Sequence, residues 1–369
     1  MAIYLWLLIA PLMLATGRFL SPRWERLSYI LVWIALVLFL GLRREVGGDW
    51  DNYLVMFLRA RNYGLPEALT LADPGYMLLS VIVARSGLSL PVVNLVCAAI
   101  FVTGLLAFVR AQPRPALALL IAIPFLVVIG GLATTRQSVA VGLLMGSLAL
   151  YAPGAKRLPS AMVVAALLFH WTAIVLLPLV LVMTIKRIPI RLVVVAGAVT
   201  GIGLALAFAT LPFLQGRYGY SGGAAFRGSL TILAIVVLFA GWRRLELDDQ
   251  THRIAAFLAS LGILSLCLIP VFATAGDRLG MYVVPLQMLV FSRAVALAPP
   301  GTYRIAVQAA IVTPYLVLLA SWLAMTEYRP CMAPYRTYLA DPARLRLGAP
   351  EPHRRNSECW EVVAQTRSL

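Results

Sequence analysis

Long apolar runs alternate with short polar connections from the first residues of this chain to about Met325. A bilayer core about 30 Å thick is crossed by a helix of about 20 residues. The runs near 3–20, 27–42, 91–109, 116–133, 137–152, 192–214, 228–242, 254–275, 279–297 and 305–325 have that character. Two more stretches fit less easily. The 75–90 run is short and closes on Arg85, Ser86 and Gly87, and the 159–185 run is long with His170 at its middle. The pattern predicts an all-α, polytopic integral membrane protein with about 10–12 transmembrane helices.

Basic residues in the connections orient the spans, because cytoplasmic loops collect Lys and Arg. Arg18, Arg23 and Arg26, then Lys186, Arg187 and Arg191, then Arg243, Arg244 and Arg253, then Arg304 mark four cytoplasmic connections. The 43–74 segment, the 215–227 loop, Asp277-Arg278 and the C-terminal tail then lie outside. Single full crossings by 75–90 and 159–185 would put Arg110, Arg114, Lys156 and Arg157 on the wrong side. An interfacial or re-entrant 75–90, and a re-entrant 159–185 pair turning at His170, return them to the cytoplasm, and irregular backbone at depth is tolerated where protein or a watery cavity surrounds it. This topology has ten full crossings. It lets Arg43, Asp49, Arg136, His170 and Arg278 face one extracytoplasmic cavity. The expected organisation is one transmembrane domain over 1–325, with an interfacial helix in its extracytoplasmic 43–74 loop, and an extracytoplasmic tail over 326–369.

Composition narrows the classes. Of 369 residues 61% are hydrophobic and 12% are charged, half the roughly 25% of a soluble domain. Mean hydropathy is +0.88. The net charge of +16 is scattered through connections without a basic stripe, which argues for lipid headgroups as the partner and against nucleic acid. The first run lacks a basic start and is followed by arginines, as an inserted span is and a cleaved signal is not. Cys97 and Cys267 sit in apolar runs as small hydrophobes. Cys331 and Cys359 share the tail, where a disulfide forms only if the compartment is oxidising.

Charged groups beside a span are costly unless hydrated or paired, so each cluster invites a functional reading. Gly41 to Phe57 reads GLRREVGGDWDNYLVMF. Gly47-Gly48-Asp49 is a helix start, after which Trp50, Tyr53, Leu54 and Phe57 share one face, as on a helix lying at a membrane surface. Arg43 and Arg44 before a helix N-terminus suit a pyrophosphate, and an aspartate can take a sugar hydroxyl proton; mutual neutralisation of these charges is the plainer alternative. Arg136, among Thr134, Thr135, Gln137 and Ser138, is either a snorkelling anchor or a ligand contact. His170 is a base, a phosphate donor, or a ring bonded to a carbonyl. Asp277-Arg278 heads a span, with Tyr282 one turn beyond Arg278; the pair either neutralises itself or binds substrate. Walker glycine loops, His-Glu-x-x-His, Cys-x-x-Cys and Gly-x-Ser-x-Gly are absent from the sequence, which lowers the weight of ATP-driven transport and zinc hydrolysis. No metal or cofactor is expected.

The ordered series Gly41-Leu42-Arg43, Val46-Gly47-Gly48-Asp49-Trp50, Tyr53, Phe57, Pro74-Gly75-Tyr76, Arg136-Gln137-Ser138-Val139-Ala140, Phe169-His170-Trp171-Thr172-Ala173, Asp277-Arg278, Tyr282 and Pro334-Tyr335 resembles the EpsG family of Wzy-like bacterial exopolysaccharide polymerases. Gly48, Trp50 and Trp171 depart from the residues more usual in that family. The resemblance implies a multi-pass enzyme of the bacterial cytoplasmic membrane, with its active site facing outward. It would move a growing glycan from undecaprenyl pyrophosphate onto another lipid-linked repeat unit, beside a flippase and a chain-length regulator of the same pathway.

Such a leaving group needs its developing charge stabilised, which arginine does without a metal. Arg43, Arg136 and Arg278 are the first candidates, with Arg44 and Arg217 behind them. Asp49 is the preferred base, ahead of His170 and Asp277. Tyr53, Trp50 and Tyr76 are candidates for stacking on sugar rings, and Gln137 and Tyr282 for polar contacts. A glycan ligase, and a lipid-linked oligosaccharide flippase or secondary transporter, are the competing readings.

Overall fold

A computed structural model describes residues 2–151, 155–185, 189–210, 221–326, 328–340 and 359. The described residues are mostly helical and form no strand, and an isolated antiparallel bridge joins Arg43 to Thr337. Among the described residues, five helices have the length and apolarity to span a bilayer: Pro22–Gly41, Leu90–Arg110, Pro115–Ala133, Asp249–Leu268 and Thr302–Met325. The pair Ala273–Met281 and Val284–Leu297, bent by 53°, has the same apolarity when taken together, as a broken span or a re-entrant loop does. Shorter apolar helices, among them Ile3–Phe19, Arg157–Phe169 and Ala224–Ala240, complete the bundle. The architecture is the all-α, polytopic one that the hydropathy pattern predicts.

Small residues set the central crossing. Gly104 of Leu90–Arg110 lies against Gly142 of Thr135–Leu150 so closely that a Cβ on Gly104 would overlap the Gly142 carbonyl. Gly146, one turn on, faces Gly104 again. Two helices without a hydrophobic drive between them gain by this close backbone approach. It anchors the helix whose first turn carries Arg136 and Gln137.

The 157–184 stretch turns back on itself. Arg157–Phe169 ends at His170, whose φ of −157° and ψ of 120° are extended, and the chain returns through a 3₁₀ turn, Trp171–Leu176, into Leu177–Thr184. Lys156 Nζ donates to the Thr184 carbonyl at 3.0 Å, which joins the hairpin's two ends. Further bonds run from Gln250 to Val182, from Arg293 to Glu246, from the Arg114 N–H to Ser292 and from Arg18 to Pro113. The basic connections thereby collect at one end of the bundle, with Arg110 over the Tyr29 ring among them. His170 is at the opposite end.

The segment after the second helix differs from the surface helix expected. Trp50–Asn62 does start after Asp49, but the Asp49 side chain makes no capping bond. Trp50, Tyr53, Leu54 and Phe57 are buried against Tyr76, Met77, Val81, Val93 and Cys97. The apolar face meets protein, because Pro74–Arg85 and Leu90–Arg110 cover it.

The start of the tail closes this end. The Arg44 N–H donates to the Arg336 carbonyl at 2.9 Å, Tyr338 N–H to Leu42 at 2.9 Å and Gly47 N–H to Cys331 at 3.0 Å, and Arg336 pairs with Glu45 at 2.5 Å. Cys331 and Cys359 form a disulfide.

Candidate functional site

A cavity of about 500 Å³ opens at the end where the tail packs, lined by Asp49, Asp277, Arg278 and Arg227 on its polar side. Its apolar side includes Phe125, Ile129, Phe226, Leu318, Trp322 and Met325. Pro124 sits in a stretch of π-helix, Ile123–Gly130, an irregularity common at functional sites; this stretch carries Phe125 and Ile129 into the wall.

Asp49 and Arg278 face each other across 3.8 Å, with side chains 29% and 25% exposed. Both are therefore reachable from the cavity. Asn52 Nδ2 holds Asp49 Oδ1 at 3.2 Å. Arg278 belongs to Ala273–Met281, which is pinned from two sides. Gln137 Nε2 donates to the Arg278 carbonyl at 2.6 Å, and Ser265 Oγ to the Gly276 carbonyl at 2.7 Å.

Asp277 does not neutralise its neighbour. Arg227 grips it with two bonds, Nε to Oδ1 at 2.6 Å and Nη2 to Oδ2 at 2.8 Å, and stands over the Phe125 ring at 5.1 Å. Ser221 Oγ donates to the same carboxylate at 3.0 Å. Both oxygens of Asp277 are thus engaged, and its carboxylate is built into the cavity wall.

Beside the cavity lies a second ionic group centred on Asp73, a residue the sequence reading missed. Asp73 Oδ2 accepts from Arg136 Nη1 at 2.6 Å and stands 3.6 Å from His170 Nδ1; Oδ1 accepts the Trp171 N–H at 2.8 Å. Burial alone would raise the Asp73 pKa, but His170, the Arg136 charge and the Trp171 N–H outweigh it and hold the carboxyl below its usual range. Gly75 makes this meeting feasible: a Cβ there would come within 2.8 Å of the Leu168 carbonyl. The signal was in the chain, since Asp73 precedes Pro74-Gly75 as an N-cap residue at a helix start. Arg227, also missed, heads the apolar run 228–242, where a charge is itself a signal.

Several expected ligands turn out to be supports. Arg43 is 1% exposed and does not line the cavity. It donates to the carbonyls of Val46 and Leu40 and to Thr135 Oγ1 at 2.6 Å, and so ties the end of Pro22–Gly41 to the start of Thr135–Leu150. Trp50, Tyr53 and Tyr76 are buried and are not available to stack on sugars. Tyr53 instead backs Arg136, whose guanidinium stands 5.8 Å from its ring centre and whose N–H approaches its hydroxyl at 3.5 Å. Gln137 is spent on Arg278, and Tyr282 is buried with its hydroxyl 3.1 Å from Thr172 Oγ1. The Arg44 side chain is not part of the cavity wall, and Arg217 lies outside the described residues. Among the described residues, no cluster of three His, Cys, Asp or Glu has a metal-holding arrangement.

Bundle and site together define a multi-pass, all-α membrane protein with a mainly apolar cavity that carries Arg227, Arg278 and two aspartates on one side. The EpsG family model matches residues 26–337, and the chain belongs to the EpsG family. It is thereby, in broad terms, a Wzy-like exopolysaccharide polymerase. No curated protein sequence matches it.

Proposed function

We propose that this protein lengthens an exopolysaccharide at the outer face of the bacterial cytoplasmic membrane, transferring the growing glycan from undecaprenyl pyrophosphate to a lipid-linked repeat unit. The observation that carries the proposal is the facing pair of Asp49 and Arg278 on the wall of a cavity whose other side is apolar. A lipid pyrophosphate is likewise anionic at one end and apolar at the other.

In the proposed step the acceptor hydroxyl attacks the anomeric carbon of the donor. The new glycosidic C–O bond forms as the C–O bond to pyrophosphate breaks, and the electron pair leaves with the lipid pyrophosphate. Arg278, assisted by Arg136, stabilises that charge. The hydroxyl proton passes to Asp49, whose neutralisation releases Arg278 toward the phosphate.

The outward orientation is supported by two features of opposite ends. The tail that borders the cavity through Thr326, Tyr328 and Met332 holds the Cys331–Cys359 disulfide, which suits an oxidising compartment. The far end gathers the basic connections, as a cytoplasmic face does.

Purified protein supplied with a lipid-linked repeat unit is expected to lengthen it without ATP or added metal, and Asp49→Ala or Arg278→Ala to abolish lengthening. In cells lacking the protein, single lipid-linked repeats should accumulate on the outer leaflet. Accumulation on the inner leaflet would make it a flippase.

A further inference from the structure

Asp73 has no access to the cavity, with a side chain 5% exposed, yet three segments far apart in the chain converge on it. Its Oδ1 is taken by the Trp171 N–H at 2.8 Å, and its Oδ2 by Arg136 Nη1 at 2.6 Å. The same Oδ2 is the nearest acidic atom to His170, 3.6 Å from Nδ1. His170 is 3% exposed, with Nδ1 facing Asp73 and Nε2 buried without a hydrogen-bond partner. Arg136 Nε is also buried without one. A buried imidazole and a buried guanidinium edge left open like this are costly in a finished core.

From this convergence we infer that Asp73 is a positioning residue for the polymerisation step: it fixes the Arg136 guanidinium and the His170 tautomer in one rigid unit beside the cavity. The inference rests on the function proposed above. A carboxylate facing Nδ1 keeps the ring proton there, so Nε2 is left as the acceptor. With Nη1 bound to Asp73, the remaining Arg136 N–H groups are directed elsewhere, toward phosphate oxygens. In this unit Arg136, with a side chain 22% exposed, is the member that reaches a phosphate oxygen, while His170 and Asp73 are buried behind it and hold it in place. The framework around it is built for rigidity. Gly75 lets Asp73 reach the hairpin turn, Tyr53 backs Arg136, and Tyr282 bonds Thr172 two residues beyond His170.

Two measurements test this, one of which is independent of turnover. The chain has three histidines, so the His170 signals in nitrogen-15 histidine spectra are assigned by their loss in His170→Gln. The expected result is an Nδ1-protonated ring in the wild type and a mixture of tautomers in Asp73→Asn. An Nε2-protonated ring in the wild type would overturn the inference whether or not the protein polymerises. In the lengthening assay, Asp73→Asn should lower turnover by roughly 100-fold with KM little changed, and Asp73→Glu should recover part of it. Adding Asp73→Asn to His170→Gln should cost far less than the two separate losses multiplied, as for residues that act as a unit. Wild-type lengthening with full activity in Asp73→Asn, or fully multiplicative losses, would reject the positioning role while leaving the polymerase reading intact. A wild type that lengthens nothing would instead reject that reading, with the tautomer still deciding the role of Asp73.

Discussion

Arg227 holds Asp277, the carboxylate next to Arg278 in sequence, in a two-pronged ion pair at 2.6 and 2.8 Å. Arg278 looks instead toward Asp49. Two arginines thus face two different carboxylates on the wall of the same cavity.

Replacing Arg227 by Met removes the wall pair and leaves a carboxylate that is 12% exposed without its partner. Breaking a buried pair in this way costs about 3–5 kcal/mol. The orphaned Asp277 also competes for Arg278, so lengthening should drop sharply. Asp277→Asn in the same chain should restore most of the stability. Thermal unfolding of the detergent-purified variants and the lengthening assay together check both effects; an unaltered Arg227→Met melting point would show that the pair contributes little.

The glycine crossing makes a sharper packing prediction. A Leu at Gly142 would drive into the Phe101 backbone, where even a Cβ meets the Cα at 2.5 Å. Overpacking costs about 1–3 kcal/mol where side chains can yield, and backbone cannot, so Gly142→Leu should melt well below the wild type or fail to accumulate. Gly203 has nothing within 4 Å. Gly203→Leu is the matched control and should be close to neutral.

The fold was legible because backbone in lipid must be satisfied within helices or a closed barrel, and uninterrupted apolar runs of about 20 residues suit the helix. The hairpin at His170 was legible from charge, through the need to return Lys156 and Arg157 to the basic end. The fate of Trp50, Tyr53 and Tyr76 was not. An amphipathic helix presents the same stripe whether lipid or protein covers it, and only the packing of Pro74–Arg85 decides. Arg43 misled for a related reason: a guanidinium is equally suited to a phosphate and to the free carbonyls of a helix end. The chain marks Asp73 only as a helix-start residue before Pro74, and its pairing with Arg136 and His170 comes from tertiary structure.

Asp73 also predicts how the protein responds to acid. Its folded pKa lies below the ordinary value of 3.8, so its pairing with Arg136 stabilises the fold fully above that value and is lost as pH falls through the lower, folded one. Asp73→Asn should therefore melt lower than wild type at pH 6, and the gap should close on acidification below about 4. Melting curves at stepped pH test the sign. A gap that widens in acid would mean that Asp73 is protonated in the folded protein.

The tail disulfide carries the last prediction. Cys331 accepts the Gly47 N–H through its carbonyl, and Gly47, at a φ of +108°, packs its Cα side against the Leu132 carbonyl two residues before Asp49. The covalent link from Cys331 to Cys359 closes a 28-residue separation, for which chain entropy allows roughly 3–4 kcal/mol of stabilisation. Releasing it loosens the shelf on which Asp49 stands. Cys359→Ser, or reduction of the wild type, should lower the melting point and weaken lengthening together. Cys97→Ser and Cys267→Ser, which touch neither the disulfide nor the cavity, should leave lengthening unchanged and its response to reductant intact. If reductant slowed lengthening equally in the wild type and in Cys359→Ser, the sensitivity would have another source and the link between the tail and Asp49 would fail.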